Sequence, residues 1–342
     1  MQPTLLIGLG GTGAYVIADT LAKLLETPAT TEKVGNAIQF LYIDADTHIP
    51  ENLKLPEQSK QGIGFFALPY IEQACQHDEN FRKWFDCEIV RRAPFVPEQF
   101  DLTRSTAMYR QFGRLSLYHD LSAGNYSRVR VSIHRSLLSI QQQTPNPPLV
   151  IICTSLIGGT GGAIALDVAY LVRHILATMN SNAYVLGVFA LGNIFASALS
   201  HAPEEHHIRF ILNEVAAIKE IQHFARTRYE FGPQGHVVAF DNLESFNRYW
   251  LFGGDRVERA EGKWPTGYFP WIADEIADVV ITGDLVLSPI VTPISYVNIR
   301  APLVASALGD WSYWEGVYNR HVKDPNRLSP HINREFDKQR AG

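Results

Sequence analysis

The chain has 342 residues, room for about two domains at the usual ~150 residues each. Hydrophobic residues make up 46%, aromatic residues 11% and charged residues 19%, which excludes a disordered chain and supplies side chains for a sizeable core. The formal net charge of −5 excludes a generally basic, nucleic-acid-coating surface.

Through residue ~200 apolar strand-like runs alternate with helical periodicity, the pattern of a parallel α/β sheet. Thr4 to Ile7 is a short apolar run ahead of glycines. Thr12 to Leu25 then places Val16, Ile17, Leu21, Leu24 and Leu25 at helical spacing. Ile38 to Ile43 predicts the second strand. Residues 51–105 mix short helical pieces with prolines and give no clear assignment. Ser127 to Gln143 predicts a helix, stopped by Pro145, Pro147 and Pro148. Leu149 to Thr154 is a buried strand, Gly161 to Leu176 a mostly apolar helix, and Ala183 to Leu191 the next strand. Arg209 to Arg226 lines Ile211, Val215, Ile218, Ile221 and Ala225 along one helical face. Beyond it the texture changes: strands at His236–Phe240 and Arg248–Phe252, a helix at Trp271–Ile281, β with prolines over Val286–Ile299, and a polar tail. The expected division is a domain over 1–200, a helix over 208–226, a smaller α/β domain over 227–325 and a tail over 326–342.

Cys75, Cys87 and Cys153 are too few and too scattered for a disulfide framework or a zinc cluster, and a reducing cytosol is the simplest setting. MQPTLLIGLGG has no basic n-region and no cleavage site, so no signal peptide is expected. The most apolar window, Ala183 to Leu199, falls short of the ~20 residues of a membrane span and contains Gly187, Gly192, Asn193 and Ser197. A cytoplasmic protein with no transmembrane segment is the expectation.

Two glycine-rich loops carry the chemistry. Gly8, Gly10, Gly11, Thr12 and Gly13 sit where a strand becomes a helix, so the backbone can turn tightly and offer free N–H groups to a phosphate. That loop alone matches the dinucleotide fingerprint, and a plain tight turn is the other reading. Gly158, Gly159, Thr160, Gly161 and Gly162 repeat the arrangement after a later strand. One such loop suffices for a dinucleotide, whereas two facing one crevice can wrap a triphosphate, with Thr160 adding a hydroxyl. Asp44 and Asp46 follow the second strand, where a carboxylate can accept from a ribose hydroxyl or help hold Mg²⁺ through water.

Together these residues resemble the tubulin/FtsZ superfamily of GTPases, and most of all its divergent prokaryotic tubulin-like members. The superfamily's G-x-G-G-x-G loop is met by Gly8 to Gly13, and its GGGTG[ST]G signature by Ile157-Gly158-Gly159-Thr160-Gly161-Gly162-Ala163. Asp44 in LYIDAD matches an aspartate common in its second loop, and Ala123-Gly124-Asn125 an AGN loop before a helix. Asn213, Ala216, Ile218, Lys219, Glu220 and Ile221 follow the N-x-x-A-x-[LI]-K-E-[LI] helix of the prokaryotic group, and Gly113-Arg114-Leu115-Ser116-Leu117 resembles its G-R-L-A-L stretch. The resemblance covers residues 1–226. It implies a Rossmann-like parallel-sheet GTPase domain, a central connecting helix and a smaller mixed α/β domain. It also implies GTP or GDP with Mg²⁺ held by the glycine loops, Asp44, Gly124 and Asn125, with Asn213 reading guanine. Head-to-tail self-association follows from it too, with hydrolysis completed across the subunit contact by two acids three apart, for which Glu275 and Asp278 are the candidates.

Ile157 departs from the signature's first glycine, and Gly162-Ala163 from its usual Thr/Ser-Gly pair. A phosphate cradle survives these changes, and a non-hydrolysing nucleotide-binding scaffold stands as the alternative to a GTPase. A second alternative, an NAD(P)-dependent oxidoreductase using the first loop and Asp44, leaves the second loop without a purpose. His201, Glu205, His206 and His207 contain no i, i+4 histidine pair, so a solvated loop is expected there and no metal site. Arg91-Arg92 and Arg334, Lys338 and Arg340 are surface charge rather than a nucleic-acid stripe. Trp250, Trp264, Trp271, Trp311 and Trp314 read as core or interface, and Ser155 and Cys153 lack a nucleophile's partners.

Overall fold

A computed structural model describes residues 1–48, 53–90, 100–104, 106, 108–195, 204–252 and 268–285. Apolar runs make the strands β1 (Thr4–Leu9), β2 (Ile38–Asp44), β4 (Leu149–Ser155) and β5 (Tyr184–Ala190), with a short β3 (Lys60–Gly62) and a later β8 (Arg248–Phe252). These six pair in the order β3-β2-β1-β4-β5-β8, every pair parallel. β6 (Tyr229–Phe231) and β7 (Val238–Phe240) form a separate antiparallel pair.

Alternate strand residues supply two cores. Leu5, Ile7, Leu41, Ile43, Val150, Ile152, Val185 and Phe189 face one helical layer. It contains α3 (Leu68–His77), α5 (Arg110–Ser122), α6 (Arg128–Gln143), α7 (Gly161–Thr178) and α8 (Glu204–Phe224). Leu6, Phe40, Tyr42, Ile151, Leu186, Val188 and Trp250 face the other, made by α1 (Gly10–Leu24) and α9 (Tyr268–Thr282). Two short helices, α2 (Pro28–Thr31) and α4 (Glu79–Arg82), complete the described α-helices. Each fully buried Leu, Ile or Phe contributes roughly 1.5–3 kcal/mol. The sheet is covered on both faces, as a parallel sheet requires. α7 is long and apolar enough to cross a membrane, but it lies mostly buried against this sheet.

The change of texture past residue 226 does not mark the end of the sheet. β8 pairs with β5 from Leu186↔Arg248 to Ala190↔Phe252, and α9 packs along α1. Both had been expected in a second domain. Strand pairing across such a distance in sequence is decided by the exposed edge of β5, which composition does not reveal. Tyr15 stacks on Phe269 at 5.9 Å near the starts of the two helices, and Gln2 N donates to Val280 O at 2.9 Å near the end of α9, so α1 and α9 run side by side in one direction.

The cysteines also depart from expectation. Cys75 on α3 and Cys87 in a following 3-10 turn form a disulfide, while Cys153 is free and buried. α3 and α4 fold the chain back on itself, which brings together two residues that their scatter in sequence did not connect. Trp250 is fully buried, and Trp271 packs edge-on against Phe252 at 5.1 Å. The strand expected at Val286–Ile299, the tail, Arg91-Arg92, His201, Trp264, Trp311 and Trp314 lie outside the described residues.

Candidate functional site

β1 and β4 are neighbours, so the helices that follow them start side by side at the carboxyl edge of the sheet. Neither start is capped: Leu9 before α1 and Thr160 before α7 make no side-chain cap bond, and neither helix has an acid in its first turn. An α-helix begins with backbone N–H groups lacking intrahelical acceptors and with the positive end of its dipole. Two such ends in one crevice attract an anion.

The glycines divide into two kinds. Gly10 has φ +66°, a left-handed turn that puts its Cα against Gly161, where an added Cβ would lie 3.0 Å from the Gly161 N. Gly8, Gly13, Gly159, Gly161 and Gly162 have no room for a Cβ because backbone or threonine oxygen stands against them. Gly11 faces open space with nothing within 4 Å, and Gly158 meets only Ser155, at an ordinary contact distance of 3.4 Å or more. Close packing of the loops therefore explains most of the glycines, and Gly11 and Gly158 are the two with space beside them. Thr12 is half-buried. Thr154 donates its hydroxyl to Leu9 O at 2.9 Å and locks the two strand ends together.

Asp44 lies buried at the end of β2 and joins the same cluster. It accepts from the Tyr42 hydroxyl at 2.8 Å and from the Asp46 backbone N–H at 3.3 Å, with Thr160 of the second glycine loop nearby. Burial pushes its carboxyl above the usual range, with these hydrogen bonds pulling the other way. Gly8 to Gly13, Gly158 to Gly162 and Asp44 thus converge as the spacing predicted. Asp46 caps its own turn, accepting from His48 N at 2.7 Å.

Five predicted residues lie elsewhere or are otherwise engaged. Asn213 sits on α8 with both amide hydrogens committed, donating to Met108 O at 3.0 Å and to Ile157 O at 2.8 Å. Its amide nitrogen braces two loops, which leaves Oδ1 as the atom for any contact with a base. Gly124 has φ +59° and lies against the His236 ring, and Asn125 is exposed. Gly124 lies eleven positions beyond Gly113, which touches the second glycine loop, along α5 and its cap; at ~1.5 Å rise per residue that is about 16 Å. A three-letter loop pattern carries no information on where the preceding helix delivers it. Glu275 and Asp278 lie inside α9, not in a loop before a helix, with Glu275 buried and Asp278 exposed. The helix carries them away from its start beside Tyr15. Asp274 pairs with Lys23 at 2.9 Å.

Several site-shaping residues escaped the sequence reading. Thr106 and Met108 press on Gly159, and Met108 has φ 64°, which is uncommon for a residue with a long side chain. Gly113 lies against Gly159 O, so the G-R-L-S-L stretch had flagged the right place without its reason. Arg110 donates to Gly162 O at 2.9 Å and also pairs with Glu220. Arg114 makes a two-pronged pair with buried Asp167 at 2.9 and 2.8 Å, which Tyr229 joins at 2.7 Å. Glu214 is buried, accepts from Gly192 N after β5, and is pushed up to about 7 by that burial. Only the three-dimensional arrangement identifies these residues, because each acts on a loop remote in sequence.

A doubly covered parallel sheet with two glycine-rich, uncapped helix starts meeting over β1 and β4 defines a Rossmann-like α/β protein. The model of a family described as tubulin like matches residues 5–281, and the chain belongs to that family. Among solved structures the chain is similar to CetZ from Methanosaeta thermophila strain DSM 6194, with TM-score 0.47 and 11% identity, covering 85% of this chain and 57% of that one. It is also similar to Clostridium botulinum phage c-st TubZ with its C-terminal tail truncated, with TM-score 0.43 and 11% identity over 81% of this chain and 59% of that one. A second TubZ structure from the same phage gives TM-score 0.42. This chain therefore spans less than two thirds of the length of these proteins. No curated protein matches the sequence.

Proposed function

We propose that this chain binds a guanine nucleotide, GTP or GDP with Mg²⁺, in the crevice over β1 and β4, and is a cytoplasmic GTPase that self-associates head to tail. The observation that carries this reading is the pair of uncapped, acid-free helix starts in contact through Gly10 and Gly161, with space left beside Gly11 and Gly158. Family membership over residues 5–281 supports it. Gly10, Gly11, Thr12 and Gly13 hold phosphate oxygens on one side, and Gly158, Gly159, Thr160 and Gly161 hold them on the other. The donor set is all N–H and hydroxyl, which suits an oxyanion.

Asp44 fits a cation carried with the phosphates, because it is a buried carboxylate near Thr160 of the second glycine loop. Both its oxygens already accept hydrogen bonds, which suits ligation through water better than direct ligation. Mg²⁺, when bound, neutralises phosphate charge. Hydrolysis then depends on an acid from a neighbouring copy. Asp278 is the exposed member of the predicted pair and the one a second subunit can reach, whereas Glu275 is buried. Ile157, in place of a signature glycine, packs into the α1-side core and favours slow turnover, the scaffold reading.

The test is thermal unfolding with GTP, GDP, ATP and NAD⁺, each with Mg²⁺, on the wild type and on Gly11→Asp. A ligand that binds only the folded state raises stability by RT ln(1 + [L]/Kd). Guanine nucleotides should stabilise the wild type. The new carboxylate at the start of α1 should abolish that response while leaving the free protein as stable as before, or slightly more so. Stabilisation by NAD⁺ alone would overturn the reading.

A further inference from the structure

The disulfide between Cys75 and Cys87 closes a hairpin made by α3, α4 and the 3-10 turn that follows. In the cytoplasmic setting proposed above, thiol pools keep cysteines reduced, and the bridges that do form are catalytic or redox-sensing. Both residues are only partly buried, so a thiolate in solution can reach the bridge, whereas Cys153 is buried and its thiol is pushed far up by that burial. The first half of the hairpin stands without the bridge. Asp78 caps α4 by accepting from Phe81 N at 3.1 Å and also accepts from the Tyr118 hydroxyl at 2.7 Å. Arg82 donates to Cys75 O and Gln76 O at 3.1 and 3.0 Å, and Phe81 is fully buried. The second half is held differently. Trp84 makes ring contacts with Phe81, Tyr118 and Phe231, and its buried Nε1 has no acceptor among the described residues. Just beyond it the bridge ties this stretch back to α3, so opening the bridge loosens Trp84 before it loosens Phe81.

That loosening reaches the second glycine loop through one helix. The Arg114 guanidinium of α5 lies 5.2 Å from the centre of the Trp84 ring and pairs with Asp167 of α7. The residue before it, Gly113, stands against Gly159 O and the Thr160 Cα with no room for a Cβ. A closely packed interior transmits displacement, so a shift of α5 at Arg114 and Tyr118 is felt at Gly159 and Thr160. A second path follows the chain. Just before α3, Ala67 N donates to Phe100 O at 2.8 Å and Phe65 O accepts from Leu102 N at 3.0 Å, and the Phe100 ring packs on Phe112 of α5 at 5.7 Å.

We propose that Cys75 and Cys87 form a reversible thiol–disulfide site, reduced by a small thiol or a dithiol protein, and that the closed bridge holds α5 and the second glycine loop in the state with the higher affinity for nucleotide. The coupling rests on the nucleotide site proposed above. In reduction a thiolate attacks one sulfur of the bridge and gives a mixed disulfide, which a second thiolate releases. The protein takes up two electrons and two protons and becomes two thiols, while two reductant thiols become one disulfide. Because both equilibria share one coupling free energy, nucleotide stabilises the bridge by the same factor by which the bridge tightens nucleotide.

The test equilibrates wild type in glutathione buffers of graded potential, with and without GDP and Mg²⁺, and counts its thiols by alkylation and mass spectrometry. Calorimetry then gives the GDP affinity of the two forms. GDP should bind the oxidised form about fivefold or more tighter, and by reciprocity saturating GDP should lower the potential of the bridge by about 20 mV or more. The protein with Cys75→Ser and Cys87→Ser should bind like the reduced form and ignore the buffer. A redox response that persists in it would move the site to Cys153 and overturn the inference. Equal affinity of the two forms would overturn it too, as would a bridge that no thiol opens in the folded protein. Hydrogen exchange on the free wild type decides the mechanical part without a ligand. Amides of residues 108–118 and 157–162 should exchange faster after reduction, and unchanged protection there would overturn the inference even with GDP binding intact. Failure of both forms to bind GDP, with exchange still faster on reduction, would instead overturn the nucleotide reading and leave the redox site standing.

Discussion

Glu214 offers a test of the burial physics that needs no ligand. Its carboxyl is 7% exposed, has a backbone N–H as partner, and is raised from 4.5 to about 7 by desolvation. In the unfolded chain the proton leaves near 4.5, whereas the folded chain keeps it until about 7. Between those values the folded state binds more protons, so stability must fall as pH rises. The contribution is fully present below 4.5 and is lost as pH passes 7. At 1.36 kcal/mol per pH unit this amounts to about 3 kcal/mol. With an unfolding entropy of about 2.1 cal/mol/K per residue, that corresponds to roughly 4–5 °C in Tm for a chain of this size. Glu214→Gln keeps an oxygen for the Gly192 N–H and carries no titrating proton. Melting curves from pH 4.5 to 8 should therefore show the wild type falling away from the variant by that amount. Asp44 and Asp167 are also raised by burial, but they are common to both proteins and cancel in the difference. Parallel curves for the two proteins would refute the reasoning.

Other substitutions probe separate parts of the structure. Gly161→Ala should lower stability by about 1–3 kcal/mol, because its Cβ overlaps Thr154 Oγ1 and Leu9 O, whereas Gly11→Ala should leave Tm almost unchanged; urea midpoints compare the two. Gly113→Ala meets Gly159 O and should cost a similar amount while also weakening any phosphate binding, measured by calorimetry. Asp167→Ala strands Arg114 and removes the acceptor of Tyr229, and should cost about 3–5 kcal/mol in denaturant unfolding. Reduction of Cys75–Cys87 should lower stability by up to about 3 kcal/mol, and the Cys75→Ser, Cys87→Ser protein should melt identically with and without reductant.

Some of this protein was legible in the sequence because the physics is local. A buried parallel strand is a continuous apolar run, so IQFLYI and LVIICT announced β2 and β4 at nearly their observed limits, and TLLI announced β1, which runs two residues further into the glycine loop. A helix that starts on glycines directly after such a run is a feature of adjacent residues, and both loops and Asp44 came together as expected. The end of α6 ahead of the prolines is equally local. Period did not find the buried face of α8: Phe210, Asn213, Glu214, Ala217 and Ile221 are buried, whereas Ile211, Val215 and Ile218 are only partly so, because the packing of loops over the helix, not its own periodicity, selects the face.

Tertiary structure decided whatever depends on which distant surfaces meet. Composition placed β8 and α9 outside the first domain, yet the free edge of β5 and the apolar face of α1 claimed them. Motif matching put Gly124 and Asn125 at the nucleotide loops, but the length of α5 carries them to His236. The pattern singled out Asn213 but not its contacts within the protein, because the two carbonyls that take its amide hydrogens lie 105 and 56 residues away. The sequence determined the strands, the glycine loops and the family, since these rest on neighbouring residues. Only packing determined which glycines are left open, which acids are buried and which side chains hold the loops in place, because hydrogen bonds and excluded volume act between residues that the chain keeps far apart.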